Sequence, residues 1–97
     1  MFLAIVSYDV STRTPEGRRR LRRVARTCED YGKRVQNSVF ECWLSTETLL
    51  LLRKRLLDAL RADEDSLRIY LLGEKWGGKV EHHGTRTVPD PDGPMIV

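Results

Sequence analysis

Two cysteines, Cys28 and Cys42, are the only thiols in 97 residues, and they form neither a Cys-x-x-Cys pair nor a disulfide framework. Each sits in an apolar pattern, which reads both as reduced core residues and argues against a disulfide-built secreted scaffold. Long hydrophobic runs are also missing. The longest, residues 2–6 and 49–52, fall far short of the roughly 18 residues that cross a bilayer. Met1 leads straight into apolar residues with neither a charged n-region nor a cleavage site, so the expectation is a cytoplasmic protein without membrane association. No glycine-rich loop ends in Gly-Lys-Ser or Gly-Lys-Thr, which excludes a phosphate loop of the nucleotide-binding type; Gly77-Gly78 reads as a flexible connector. No internal repeat or low-complexity segment is present.

Acidic residues are nearly absent from one stretch. Between Arg13 and Arg26 there are seven arginines and no lysine, against the single acid Glu16, although the net charge of the whole chain is only +3. A solvated helix face normally mixes its signs. Arginine presents a planar fork suited to phosphate oxygens, so the run points to nucleic acid or another polyanion. The length fits a single domain, residues 1–97, with a core over about residues 1–73 and a C-terminal extension over 74–97. A chain this short buries only about 60–65% of its unfolded surface, which makes further burial in an oligomer attractive.

The chain begins with Phe2-Leu3-Ala4-Ile5-Val6-Ser7-Tyr8, an apolar run of the kind found in a sheet interior, and ends that run on Asp9. Thr14 is a suitable N-cap, Pro15 fits the first helical position and Glu16 suits the positive end of the helix dipole. Leu21, Val24, Ala25, Cys28 and Tyr31 then share one helical face, and Gly32 fits a C′ cap. A short strand, a tight turn at Gln36-Asn37-Ser38 and a longer strand through Leu44 read as a hairpin. Ser45 caps a second helix with its stripe at Leu49, Leu52, Leu56, Ala59 and Leu60, and Leu50, Leu51 and Leu57 widen that stripe. Ala62-Asp63-Glu64-Asp65 ends the helix. Leu67–Leu72, closed by Gly73, is a further strand. The order β-α-β-β-α-β defines an α+β, ferredoxin-like fold with both helices on one face of an antiparallel sheet. Met95-Ile96-Val97 makes an extra C-terminal strand, expected to add to the sheet edge of a second subunit.

Strand alternation separates Phe2, Ala4, Val6 and Tyr8 from Leu3, Ile5, Ser7 and Asp9. The second set, with Val39, Glu41 and Trp43, falls on the face without helices. Its apolar members, left exposed, would form a larger patch than monomers tolerate. A homodimer joined through this sheet face removes the problem and brings two copies of Asp9 towards one axis. At this point Asp9 has two readings. It is either a turn residue bonding Ser11 and Thr12, or half of a carboxylate pair that, with water and a scissile phosphate, gives Mg²⁺ its oxygen ligands.

The segments Tyr8-Asp9, Arg23-Val24-Ala25, Tyr31-Gly32-Lys33-Arg34-Val35-Gln36-Asn37-Ser38-Val39-Phe40-Glu41-Cys42, Asp65–Tyr70, Leu72-Gly73 and Val80–Gly84 together resemble the CRISPR-associated protein 2 family. The most specific of them is the run from Arg34 to Glu41. The resemblance implies a ferredoxin-like homodimer that acts as a metal-dependent endonuclease of CRISPR antiviral defence, hydrolysing phosphodiester bonds of RNA or double-stranded DNA. It implies Asp9 of both subunits as the Mg²⁺ or Mn²⁺ ligand and catalytic residue, with Tyr8 as its catalytic neighbour. Arg34, Ser38 and Phe40 match positions around the active site, with Ser38 and Phe40 supporting. The resemblance implies Arg18, Arg19, Arg20, Arg23 and Arg34 as the nucleic-acid contacts, although Leu21 stands where some members carry a basic residue. The resemblance further implies a role in spacer acquisition beside the CRISPR-associated integrase (CRISPR-associated protein 1). There the alternative is a non-catalytic, nucleic-acid-binding scaffold dimer that bridges integrase subunits.

Three other features carry less chemistry. Adjacent His82 and His83 in an extended segment point in opposite directions and suit a surface rather than a metal site. Asp90 and Asp92 flank Pro91 in a turn. Trp43 and Trp76 read as core or interface residues rather than platforms for bases.

Overall fold

The first strand, β1 (Phe2–Asp9), runs through the interior of a four-stranded sheet in the computed structural model, which describes residues 1–84. It is followed by α1 (Pro15–Glu29), β2 (Gly32–Gln36), β3 (Val39–Leu44), α2 (Thr46–Ala59) and β4 (Ser66–Gly73). The strand order is β2-β3-β1-β4 and every pairing is antiparallel, so the expected ferredoxin-like α+β architecture is present. The expected strand at Met95–Val97 lies outside the described residues. Among the described residues no helix is long and apolar enough to cross a membrane.

Both helices pack on one sheet face, as the alternation requires. Val24 and Cys28 of α1, and Leu49, Leu52, Leu56 and Ala59 of α2, close over Ala4, Val6, Tyr8, Phe40, Cys42 and Leu44. Burial pushes both thiols up to about 12, which keeps Cys28 and Cys42 neutral and inert. Each helix starts where its polar residues dictate. Thr14 accepts the Gly17 N–H at 3.1 Å, and Ser45 and Thr48 form a reciprocal capping box.

Three local expectations need correction. Gly32 is not the C′ residue of α1, which ends at Glu29 with Asp30 as its cap. Gly32 instead opens β2 opposite Cys42, where a Cβ would overlap the Glu41 carbonyl oxygen. Gln36 belongs to β2 rather than to the turn, and the ladder with β3 slips at Val35, between Arg34↔Phe40 and Gln36↔Val39. Leu3, expected on an exposed patch, is fully buried. It pairs with Trp43, and the chain after β4 returns over this face so that Trp76 meets Trp43 edge-on at 6.0 Å. Ile5, Val39 and Trp43 stay half-buried on that face.

The loop that leaves β1 lies tightly on α1. A Cβ on Gly17 would overlap the Ser11 carbonyl oxygen, and Arg18 Nη1 donates to the Thr12 carbonyl at 3.2 Å. Alanine would gain about 1 kcal/mol in helix propensity over glycine at this position. Displacing backbone costs about 1–3 kcal/mol, and here the obstructing atom is a carbonyl rather than a flexible side chain. Gly17→Ala is therefore expected to lower the denaturation midpoint in urea. A midpoint at or above that of the wild type would show that the loop is not held against the helix.

Candidate active site and nucleic-acid face

Asp9 ends β1, exposed, on the sheet face opposite the helices. Its rung in the ladder is Ser66, the first residue of β4. The loop after Asp9 and the loop before Ser66 form the walls of an open polar cleft with Asp9 at its edge. Four acids line it: Asp9, Asp63, Glu64 and Asp65. Three of these are engaged by arginine. Arg61 Nη2 reaches Asp63 at 3.2 Å, Arg20 Nη2 reaches Glu64 at 3.0 Å, and Arg20 Nε reaches Asp65 at 2.8 Å. Asp9 is the one carboxylate of the cleft with no cation or donor within bonding reach among the described residues.

Asp65 is the residue that sequence reading treated merely as the end of a helix. In fact α2 stops at Ala59, and the turn that follows presents a carboxylate whose side chain is 0% exposed. That carboxylate accepts from Ser11 N at 3.0 Å and from Arg61 N at 2.9 Å, and Arg20 grips it with Nε and with Nη2 at 3.2 Å. The Arg20 hydrogen bonds foremost, with the two backbone donors, hold the Asp65 carboxyl down at about 2. A depressed carboxylate contributes stability that is complete above the ordinary carboxylate range. That stability is lost as the pH falls towards about 2.

Tyr8 is not brought beside the Asp9 carboxylate. Successive strand residues face opposite ways, and Tyr8 lies under the helices, stacked on Phe40 with ring centroids 6.2 Å apart. Its hydroxyl is buried without a hydrogen-bond partner among the described residues. Burial first, then neighbouring Cys28, raises its pKa from the ordinary phenol value, while nearby Arg34 pulls the other way without completing a hydrogen bond. Arg34 itself stands over the Phe40 ring at 5.2 Å, with Glu29 at 3.6 Å. The Ser38 carbonyl accepts the Tyr8 N–H at 3.1 Å, so the β2–β3 turn braces the same strand end through its backbone.

The basic residues divide into two groups. Arg18, Arg19 and Arg23 are exposed on α1 together with Arg22 and Arg26, a face that can follow a phosphate backbone. Arg20 is different. Its side chain is 13% exposed, because Gly17, Arg20, Val24 and Thr27 share a single helical stripe that faces inward. His82 and His83 stand on the surface segment after β4, and His83 meets Glu81 at 3.3 Å. Among the described residues no cluster of three or more His, Cys, Asp or Glu side chains could hold a metal ion alone.

The molecule is thus an α+β ferredoxin-like domain with an antiparallel sheet, whose second-from-edge strand ends on a carboxylate unpaired among the described residues, beside a helix face of exposed arginines. The family described as CRISPR associated protein Cas2 matches residues 1–80. The CRISPR-associated endoribonuclease Cas2 of Chlorobaculum tepidum is 50% identical over 95 residues, covering 98% of this chain and 99% of that one. The CRISPR-associated endonuclease Cas2 of Halalkalibacterium halodurans is 45% identical over 94 residues, covering 97% and 98%. Among solved structures, Streptococcus pyogenes Cas2 at pH 6.5 superposes with a TM-score of 0.75 at 49% identity, covering 84% of this chain and 99% of that chain. The chain belongs to the Cas2 family.

Proposed function

We propose that the chain is a metal-dependent endonuclease of CRISPR antiviral defence that hydrolyses phosphodiester bonds and acts in spacer acquisition as a homodimer. The observation that carries this reading is the isolation of Asp9: every other acid of the cleft has an arginine, and Asp9 has none among the described residues. A free carboxylate at a rigid strand end is a suitable hard-oxygen ligand for Mg²⁺ or Mn²⁺, but one chain supplies half of such a site. Asp9 of a second copy, meeting it across a dyad, supplies the other half. Bound there, the metal would polarise a phosphoryl oxygen and acidify a water. Asp9 holds the position at which that chemistry occurs, and Arg18, Arg19 and Arg23 keep the phosphate backbone against the domain. The names of the relatives, endoribonuclease and endonuclease, support the reaction class.

A second reading has its own support. The exposed arginines of α1 do not depend on Asp9, so a dimer that binds nucleic acid and spaces CRISPR-associated integrase subunits needs no catalysis. One assay separates the two readings: purified protein against matched single-stranded RNA and duplex DNA, in Mg²⁺, in Mn²⁺ and in excess EDTA. Cleavage is expected with either metal and none in EDTA, and the polymer cut identifies the substrate. Nucleic-acid binding and integrase co-purification without cleavage under any condition would leave the scaffold reading standing.

A further inference from the structure

The ion pair between α1 and the β4 approach has a specific place in the ladder. Asp9↔Ser66 is the final rung between β1 and β4. Beyond it an antiparallel pair normally frays, because the next amides lose their partners. Here the Asp65 carboxylate accepts the Ser11 N–H at 3.0 Å, extending the closure past Asp9 with a side chain where a backbone carbonyl would have stood. The same carboxylate is held from two other directions, by the Arg20 fork at 2.8 and 3.2 Å and by the Arg61 N–H at 2.9 Å. The Asp9 backbone thereby lies between a strand rung and a side-chain clamp, with its exposed carboxylate on the cleft.

We propose that Arg20 and Asp65 are a positioning pair that fixes the loop after β1 and through it the orientation of Asp9. This deepens the endonuclease reading and rests on it. It also removes Arg20 from the set of phosphate contacts. An arginine that is 13% exposed, with Nε and Nη2 committed to carboxylates, is neutralised and turned away from a nucleic-acid backbone. Arg23, three residues on, is exposed and suits that role.

The two roles separate in kinetics. A phosphate contact works in ground and transition states alike, so removing it raises KM and flattens the salt dependence of binding, the slope falling by about 0.9 for each phosphate no longer neutralised. A positioning pair works on the reacting geometry, so removing it lowers kcat. Arg20→Gln and Asp65→Asn are each expected to lower kcat by about 10- to 100-fold with KM and salt slope unchanged. The double variant is expected to be no worse than the poorer single one, because the two side chains act as a unit. Arg20→Lys keeps the charge, loses the fork and is expected to fall between wild type and Arg20→Gln. Arg23→Gln is the contrast, raising KM with kcat intact.

Amide hydrogen exchange on the full chain gives a readout that needs no activity. The Ser11 amide is expected to exchange about tenfold faster in Asp65→Asn than in wild type, with core amides of β3 unchanged. Arg20→Gln that raises KM at constant kcat would make Arg20 a backbone contact and overturn the proposal. Unaltered Ser11 exchange in Asp65→Asn would overturn it as well. Wild-type protein that cuts nothing would sink the endonuclease reading instead, and Ser11 exchange would still decide whether the clamp holds the loop.

Discussion

Asp9→Ala is expected to lower phosphodiester cleavage by about 10³-fold or more, to the level seen in EDTA, while leaving the fold and the arginine face intact. A metal stabilises developing phosphoryl charge by several kcal/mol, and each 1.36 kcal/mol is about a factor of ten in rate. Because Asp9 is exposed and makes no ion pair among the described residues, the substitution removes no buried interaction there. The thermal midpoint should therefore stay within about 2–4 °C of wild type, the range that a surface substitution of up to about 0.5 kcal/mol gives in a domain of this size. Asn tests the charge separately, since it keeps the shape of the side chain and loses the carboxylate. Retention of more than a tenth of the activity in both variants would place the chemistry elsewhere. If the dimer places both copies on one metal, a mixed dimer with a single Asp9→Ala subunit should be as inactive as the double variant, because half a ligand set is no site.

Phe40→Ala is expected to have the largest effect on stability, about 3–5 kcal/mol in urea unfolding at neutral pH. Phe40 is the largest fully buried side chain, paired with Val6 on β1 and stacked on Tyr8. Its loss opens a cavity at the centre of the sheet and leaves Arg34 without the ring it covers. A small domain has only about 5–15 kcal/mol to lose, so this loss is a large share of the total and should lower the urea midpoint strongly. Phe40→Leu fills most of the space and should recover more than half of the loss. A Phe40→Ala protein within about 1 kcal/mol of wild type would mean that helices and sheet collapse onto the vacancy, which their well-separated attachments make unfavourable.

Periodicity and capping carried most of the architecture. The stripe from Leu21 to Tyr31, the Thr14 and Ser45 caps and the period-two alternation of β1 are local signals, and local signals survive folding. Asp9 was legible for the same reason: a carboxylate that follows an apolar strand can only stand at its end. What escaped was decided between segments far apart in sequence. Arg20 lies at helical spacing from Val24 and Thr27, yet reading that stripe from apolar residues alone left it among the solvent-facing arginines. Its partner Asp65 stands 45 residues away, and nothing in the acidic turn distinguishes it from Asp63 or Glu64. Gly32 gives no local sign that the atom crowding it is a cross-strand carbonyl rather than its own helix. The burial of Leu3 likewise involves the chain beyond β4 crossing the sheet, which the alternation of β1 cannot express.

The strand order also sets a timetable. β1 lies between β3 and β4, and its rungs with β4 run from Leu3↔Gly73 to Asp9↔Ser66, joining the two ends of the sheet-forming sequence. Translation makes the Asp9 strand first, at about 5–20 residues per second, and its second neighbour last. Until β3 follows, Phe2–Val6 is an apolar segment with both hydrogen-bonding edges unclaimed, and until β4 follows one edge stays open to capture by chaperones or by its own copies. The final rung of that late pairing, Asp9↔Ser66, is the one that carries the exposed carboxylate.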